Sequence, residues 1–349
     1  MPNTKREIRG CIDLGSSYFR LLVARACYPG GSSSAPTGRS NRAGVSNPSR
    51  SGHGAPRMFE VVAEDRIYVG WGEAIAGDGL LPASSIEDAL GALRILVSKA
   101  GAFGCLDPLL IGTNTLREAR NGTEAVRLLS DSLGKRRITV LTQRQEAALS
   151  YLGASTVLDR PEPTVLIDVG GTSTEIAWGL GSAMEDFRGI PFGTHGVRPI
   201  ISRCGLHTSL TILRDRIRSR SPEGIDPLYV LPIGGEIPTI LATGGTAVSL
   251  AVVLRLMKGE EPLVHERTPV SACEFGLAVR RIWALYAEGR ERRLPLEEDR
   301  VTLLMPGLVL LAALVQAMDM PGFIVTPRDL RWGGIMAGDE LADYATNGG

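Results

Sequence analysis

Apolar runs that end in polar, glycine-containing turns organise this chain. Val165, Leu166 and Ile167 form an apolar run that stops at Asp168. Gly170 and Gly171 follow, then Thr172, Ser173 and Thr174 with Glu175 behind them, and a second apolar run covers Ile176 to Trp178. This pattern predicts strand, tight turn, strand. It recurs near the N-terminus, where the strand from Cys11 ends at Asp13, a Gly15-Ser16-Ser17 turn follows, and the apolar run resumes at Phe19. The two aspartates lie about one domain length apart, which predicts two related halves that each bring a hairpin to a shared cleft.

Between and after these hairpins the period changes to that of helices. Ser84-x-x-Glu87 reads as a capping box ahead of Ile86, Leu90, Leu93, Val97 and Ala100. A buried strand at Leu109–Gly112 delivers Thr113-Asn114-Thr115-Leu116-Arg117. Arg117 then stands where an anion-binding arginine sits in an open α/β sheet, with a helix-surface arginine as the competing reading. A helix is expected from Asn121 to Leu133 and a strand from Ile138 to Leu141. Thr142-x-x-Gln145 is a second capping box, which puts Glu146 in the first turn of a helix, where the dipole favours an ionised carboxylate. Gly189 to Arg198 reads as a loop near the cleft. Ile240 to Thr243 runs into Gly244-Gly245-Thr246 and a helix to Met257, a third place where free amides at a helix start suit phosphate. No lysine follows those glycines, so this is neither a P-loop nor a dinucleotide fingerprint. A buried helix over Leu303–Met318, a strand over Phe323–Thr326 and a closing helix to about Tyr344 complete an α/β pattern.

Composition narrows the class. A length of 349 residues with 44% hydrophobic positions supports two domains with full cores. The formal net charge is zero, so no global field points to nucleic acid or an anionic membrane. The five cysteines form no C-x-x-C pair, which argues for a reducing compartment and against structural zinc. Residues 1 to 7 are polar and show no cleavable signal, and the Leu303–Met318 run is too short and broken for a span of about 20 residues. A soluble, cytoplasmic protein with no membrane partner is therefore expected. Residues 29–57 carry Gly, Pro, Ser and Arg with one valine, and are expected to form a disordered insertion at a hairpin tip. Arg214, Arg216, Arg218 and Arg220 recur at every second position; a solvated helix face is favoured over a polyanion track.

The candidate chemistry is that of phosphate. Gly170 and Gly171 let the backbone approach a ligand, and successive amides in such a turn form an anion-sized concavity. The carboxylates of Asp168 and Glu175 suit a hard cation such as Mg²⁺ carried by the phosphate. Taken in order, IDLGSSYFRLLVA, GTNTLREARN, QEAALSY, VLIDVGGTSTE, ATGGTAVSLA, LLMPGLVLLAAL and TPRDLRWGGIMAG resemble the exopolyphosphatase and guanosine pentaphosphate phosphohydrolase (Ppx/GppA) family of the actin-like ATPase superfamily.

The resemblance implies two actin-like (ribonuclease H-like) domains with mixed sheets flanked by helices, and an active site in the cleft between them. The expected bounds are 1–141 and 142–331, with a closing helix, 332–349, packed back on the first domain. It implies Glu146 as general base with Arg117 beside it. Asp168, Glu175 and Asp13 would face Mg²⁺. Phosphate would be held by Asp13, Gly15, Ser16, Ser17 and Arg20, by Gly170, Gly171, Thr172 and Ser173, and by Gly244, Gly245 and Thr246. The implied activity is Mg²⁺-dependent release of orthophosphate from inorganic polyphosphate or guanosine pentaphosphate, by a protein whose relatives are commonly homodimers. A binding or regulatory protein for the same phosphates is the alternative, and an ATP-using kinase of the same superfamily a more distant one. Several positions depart from the family pattern: Ser17 for asparagine, Thr172 for glycine, Gln143, Arg144 and Gln145 for small and acidic residues, Ala148 for arginine, Asp329 for glycine and Trp332 for glutamate.

Overall fold

Both glycine hairpins form, and each lies inside its own sheet. The computed structural model describes residues 7–27, 58–75, 78–219, 237–262, 264 and 266–338. The expected insertion at 29–57, Arg220 and residues 339–349 lie outside them.

The first sheet contains β1 (Ile8–Leu14), β2 (Tyr18–Cys27), β3 (Met58–Tyr68), β4 (Leu109–Gly112) and β5 (Ile138–Val140). Its order is β3-β2-β1-β4-β5. The helices in this part are α1 (Trp71–Ala74), α2 (Ala83–Ala102), α3 (Asn114–Glu118) and α4 (Gly122–Ser132). After α5 (Gln143–Ser155) come β6 (Pro163–Val169), β7 (Thr174–Leu180), β8 (Ala183–Ile190), α6 (Thr194–Ser219), β9 (Thr239–Thr243), α7 (Gly244–Met257), β10 (Thr268–Ser271), α8 (Ala272–Ala287), α9 (Glu298–Ala317), β11 (Gly322–Val325) and α10 (Leu330–Ala337). The second sheet runs β8-β7-β6-β9-β11-β10. In both sheets the first strand of the hairpin pairs antiparallel with the second and parallel with a strand that arrives after helices. The register repeats as well: Asp13 lies opposite Arg20, and Asp168 lies opposite Glu175. The duplication therefore extends to the residue facing each aspartate, with opposite charge in the two halves.

Local rules account for most element starts. The Thr142 capping box forms, with both reciprocal hydrogen bonds to Gln145. The one expected at Ser84 does not: α2 begins at Ala83 behind an extended Pro82, so Ser84 falls inside the helix and caps nothing. The segment expected to be a loop from Gly189 to Arg198 is shorter, because Gly189 and Ile190 finish β8 and α6 starts at Thr194. The closing helix is described over Leu330–Ala337 and is followed by Gly338 with a positive φ of 52°; its expected continuation to Tyr344 lies outside the described residues. Arg216 and Arg218 are exposed on α6, as a solvated face requires.

The second half has the larger core, built where β6, β7 and β9 meet α6, α7, α8 and α9. Helix α9 is long and apolar enough to cross a membrane by length and composition, yet Leu303 to Val315 are buried, and it is the central core helix of this half. The first half closes around Phe19, Leu21, Trp71, Leu93 and Leu96. Between the two sheets lies α5, apolar on more than one side. Leu149 and Leu152 face Leu330, Trp332 and Ile335 of α10 together with Cys11 and Leu22 of the first sheet. Ala147, Tyr151 and Ala154 face Leu166, Ala177 and Leu241 of the second.

Helices α5 and α10 approach to backbone contact. A Cβ added at Gly333 would sit 2.0 Å from the Leu149 carbonyl oxygen, and one at Gly153 would sit 2.2 Å from that of Asp329. Neither obstacle is a flexible side chain, so the helices must separate to admit a methyl group. Gly333→Ala is expected to destabilise the fold by about 1–3 kcal/mol. Urea unfolding checks this as a lower midpoint at unchanged slope.

Candidate active site

The strand order brings the three glycine segments to one cleft. Gly15 to Ser17 joins β1 to β2, Gly170 to Ser173 joins β6 to β7, and Gly244 to Thr246 opens α7 at the end of β9. All three line a pocket with Asp13, Arg20, Glu146, Asp168, Glu175 and Arg300. The first turn is closed by the Gly15 amide donating to the Tyr18 carbonyl (3.2 Å), and the second by the Gly170 amide donating to the Ser173 carbonyl (3.0 Å). The turns touch each other: a Cβ at Gly171 would lie 2.2 Å from Ser16 Oγ and 2.9 Å from Ser17 Oγ. Glycine here leaves room for both serine hydroxyls against the second turn.

The carboxylates are each held from one side. Arg20 donates to Asp13 Oδ2 through Nη2 at 2.5 Å and Nε at 3.0 Å, and to Asp329 Oδ2 through Nη1 at 2.8 Å. Arg20 thus reaches the pocket as the holder of Asp13, with its bonds made to carboxylates. Asp13 Oδ1 is buried without a hydrogen-bond partner. Ser150 donates to Asp168 Oδ2 at 2.9 Å, and the Gln143 amide donates to Glu175 Oε1 at 3.0 Å. Arg117 donates to Glu146 Oε2 at 2.9 Å and to the Leu141 carbonyl at 2.8 Å, while its other Nη donates to Asn114 Oδ1 at 2.8 Å. Arg117 is therefore an interior guanidinium rather than a helix-surface one.

Crowding of these acids shifts their protonation. Burial raises Asp13, with Arg20 opposing. Burial also carries Asp168 to about 6 against the pull of Arg20. Glu175 rises to about 7 through burial and the charge of Asp168, and Glu146 is pushed well above the usual carboxylate range by burial and Glu175, with Arg117 partly restoring it. A cluster of raised carboxylates is what a site looks like when its electrostatics are matched to a cation.

Among the described residues, no group of three or more His, Cys, Asp or Glu side chains converges on one ion position. Asp13, Asp168 and Glu175 therefore do not form a ready-made cage. Mg²⁺ does not need one, because it commonly takes one or two carboxylates and completes its shell with water and substrate phosphate. The unpartnered Oδ1 of Asp13 and the buried carboxylate of Asp168 fit that mode.

Two hydrogen bonds span the cleft close to the turns. Asn114 donates to Thr172 Oγ1 at 2.8 Å, and Ser17 Oγ meets His195 Nε2 at 2.9 Å. Sequence reasoning left out several of the residues gathered here. Asn114, Gln143, Ser150 and Asp329 lie inside or beside recognised motifs, but nothing in their spacing marks them as partners of an acid. Arg300 is the largest omission. Its guanidinium lies 4.2 Å from the Tyr18 ring centroid and abuts Gly245, so it enters the pocket from α9. Its Nε is buried without a partner, and burial lowers its pKa to about 10. The available signal was an arginine one helical turn before the Leu304-Met305-Pro306-Gly307 segment, which by itself is unremarkable helix sequence.

This arrangement of two duplicated α/β halves with glycine turns facing across a cleft defines an actin-like two-domain protein. The model of the Ppx/GppA phosphatase family matches residues 49–340, and the chain belongs to that family. Solved structures agree with the fold. The Aquifex aeolicus PPX-GPPA enzyme is similar with a TM-score of 0.70 and 18% identity, covering 95% of this chain and 100% of that one. An exopolyphosphatase from Cytophaga hutchinsonii gives a TM-score of 0.74 at 15% identity, over 97% and 98% of the two chains. An uncharacterized protein of Streptomyces coelicolor is 28% identical over 183 residues, which is 52% of this chain and 46% of that protein. The matched region thus spans about half the length of that curated relative.

Proposed function

We propose that this chain hydrolyses terminal phosphoanhydride bonds of inorganic polyphosphate, guanosine pentaphosphate or both, releasing orthophosphate. The observation that carries this reading is the gathering of three glycine segments from both sheets around Glu146 in one pocket. Hydrolysis of such a bond needs charge neutralisation and an aligned water more than covalent catalysis. The turn amides and Arg300 supply positive potential to the phosphate oxygens. Glu146 takes the proton of the attacking water on Oε1, because Arg117 holds Oε2. Asp13 and Asp168 would hold Mg²⁺, which when bound neutralises charge on the phosphate. Membership of a phosphatase family and likeness in fold to a protein described as an exopolyphosphatase support the same reading.

The competing reading is a protein that binds these phosphates without turning them over. It draws on the Arg117 contact, which occupies one oxygen of the base, and on Gln143 beside Glu175. Orthophosphate release from tripolyphosphate and from guanosine pentaphosphate separates the two, measured with Mg²⁺ and again with excess EDTA. Multiple turnover on either substrate that collapses in EDTA is expected. Tight binding with less than one turnover would establish the competing reading.

A further inference from the structure

His195, the second residue of α6, has no part in the chemistry described above, yet it sits between the two glycine turns. Its amide donates to the Gly171 carbonyl at 2.9 Å, and its ring packs on Gly72 at the start of α1. Only 10% of its side chain is exposed. Nε2 lies 2.9 Å from Ser17 Oγ across the cleft. Nδ1 is buried without a hydrogen-bond partner, and the nearest charge is the Glu73 carboxylate at 3.6 Å. Glu73 is in turn held by Arg198 of α6 at 3.3 Å and faces the Tyr68 hydroxyl from β3. These are the charged and titratable groups that address the imidazole.

A carboxylate facing Nδ1 favours the neutral tautomer with its proton there, which leaves Nε2 as an acceptor. Ser17 must then donate its only hydroxyl proton to His195, and offers lone pairs to the pocket. A phosphate oxygen is an acceptor too, so the neutral imidazole removes a donor from the first turn. On protonation, Nε2 becomes a donor to Ser17 Oγ, and the serine proton is released to point at an anion.

We propose that His195 is a positioning residue that decides, by its protonation state, whether the Ser17 hydroxyl is a donor to a phosphate oxygen bound in the cleft. This rests on the first turn being a phosphate site. Burial lowers the imidazole pKa, with Glu73 opposing, so the donor-poor state is the one present at neutral pH and above. Asp168, raised to about 6, and Glu175, raised to about 7, also change charge between neutral and acidic pH, so pH dependence of binding alone does not isolate the histidine.

The experiment combines two readouts on wild type, Ser17→Ala and His195→Phe. Long-range ¹H–¹⁵N correlation spectra of the ligand-free protein report the tautomer of His195, assigned by its disappearance in His195→Phe. An unprotonated Nε2 is expected at pH 8, with its shift moved in Ser17→Ala by loss of the hydrogen bond. Calorimetric titration with tripolyphosphate from pH 8 downwards should show wild type gaining about tenfold more affinity than either variant, the size of one charge-assisted hydrogen bond. Parallel pH profiles in all three proteins, or a proton found on Nε2 at pH 8, would overturn the proposal. If wild type binds no tripolyphosphate at any pH, the phosphate reading of the cleft fails, while an Nε2 shift unchanged in Ser17→Ala refutes the histidine's role on its own.

Discussion

Glu146→Gln is expected to lower kcat for orthophosphate release by about 10²–10⁴-fold while leaving KM within a few-fold of wild type. The substitution keeps shape and lets the amide oxygen accept from Arg117, which now holds Oε2 at 2.9 Å. It removes the one carboxylate placed in the first turn of α5 to take a proton. A loss confined to kcat is the mark of an interaction made only in the transition state. The pH profile gives a second check. Burial and Glu175 push Glu146 well above the usual range, so at low pH it is protonated and cannot act as a base. Wild-type activity should therefore rise with pH through a limb that belongs jointly to Glu146 and Glu175, the latter near 7. The limb should change shape in the residual activity of Glu146→Gln, where Glu175 titrates without its partner, and retention of more than about a tenth of wild-type kcat would remove Glu146 from the role of base.

The hairpins were legible because alternation and glycine placement are local signals. Asp13, Asp168 and the glycines after them could be placed at strand ends before any three-dimensional arrangement was known, and the repeat implied that they face each other. The α/β class followed from the same alternation. What sequence could not supply was partnership. Thr172 and Ser17 stand out in the chain as turn residues expected to hold phosphate and as departures from a family pattern. In the fold they are the ends of two hydrogen bonds that cross the cleft beside the turns, to Asn114 and His195 respectively. Arg300 comes from a helix whose pattern speaks only of burial, and its approach to Gly245 depends on how α9 packs against α7. Helix α5 shows the same limit: its apolar residues surround the axis because it packs against both α10 and the second sheet, and period alone cannot divide them. At α2 the N-cap position is taken by Pro82, two residues before Ser84, so the serine hydroxyl falls inside the first turn and the spacing alone misplaced the helix start.

Asp329→Ala is expected to destabilise the protein by about 3–5 kcal/mol, the cost of breaking a buried ion pair by removing one partner. Asp329 is buried and accepts from Arg20 Nη1 at 2.8 Å, from Arg331 Nε at 3.0 Å and from the Arg331 amide at 3.0 Å, the last as the cap of α10. Without it Arg331 keeps the Leu21 carbonyl at 3.1 Å and Glu64 at 3.3 Å, while Arg20 keeps only Asp13. Burial raises the Asp329 pKa, but Arg331 and Arg20 together outweigh it and the net shift is downward. A carboxylate whose folded pKa lies below its unfolded value of about 3.9 contributes stability above that value and loses it as pH falls through the folded pKa. The difference in unfolding free energy between wild type and Asp329→Ala should accordingly be largest near neutral pH and shrink below about pH 4. Urea titrations at pH 7 and in acid measure both ends. A gap that stays constant would assign the loss to the cavity, since the pairing with both arginines and the cap on the Arg331 amide each weaken when the carboxylate is protonated.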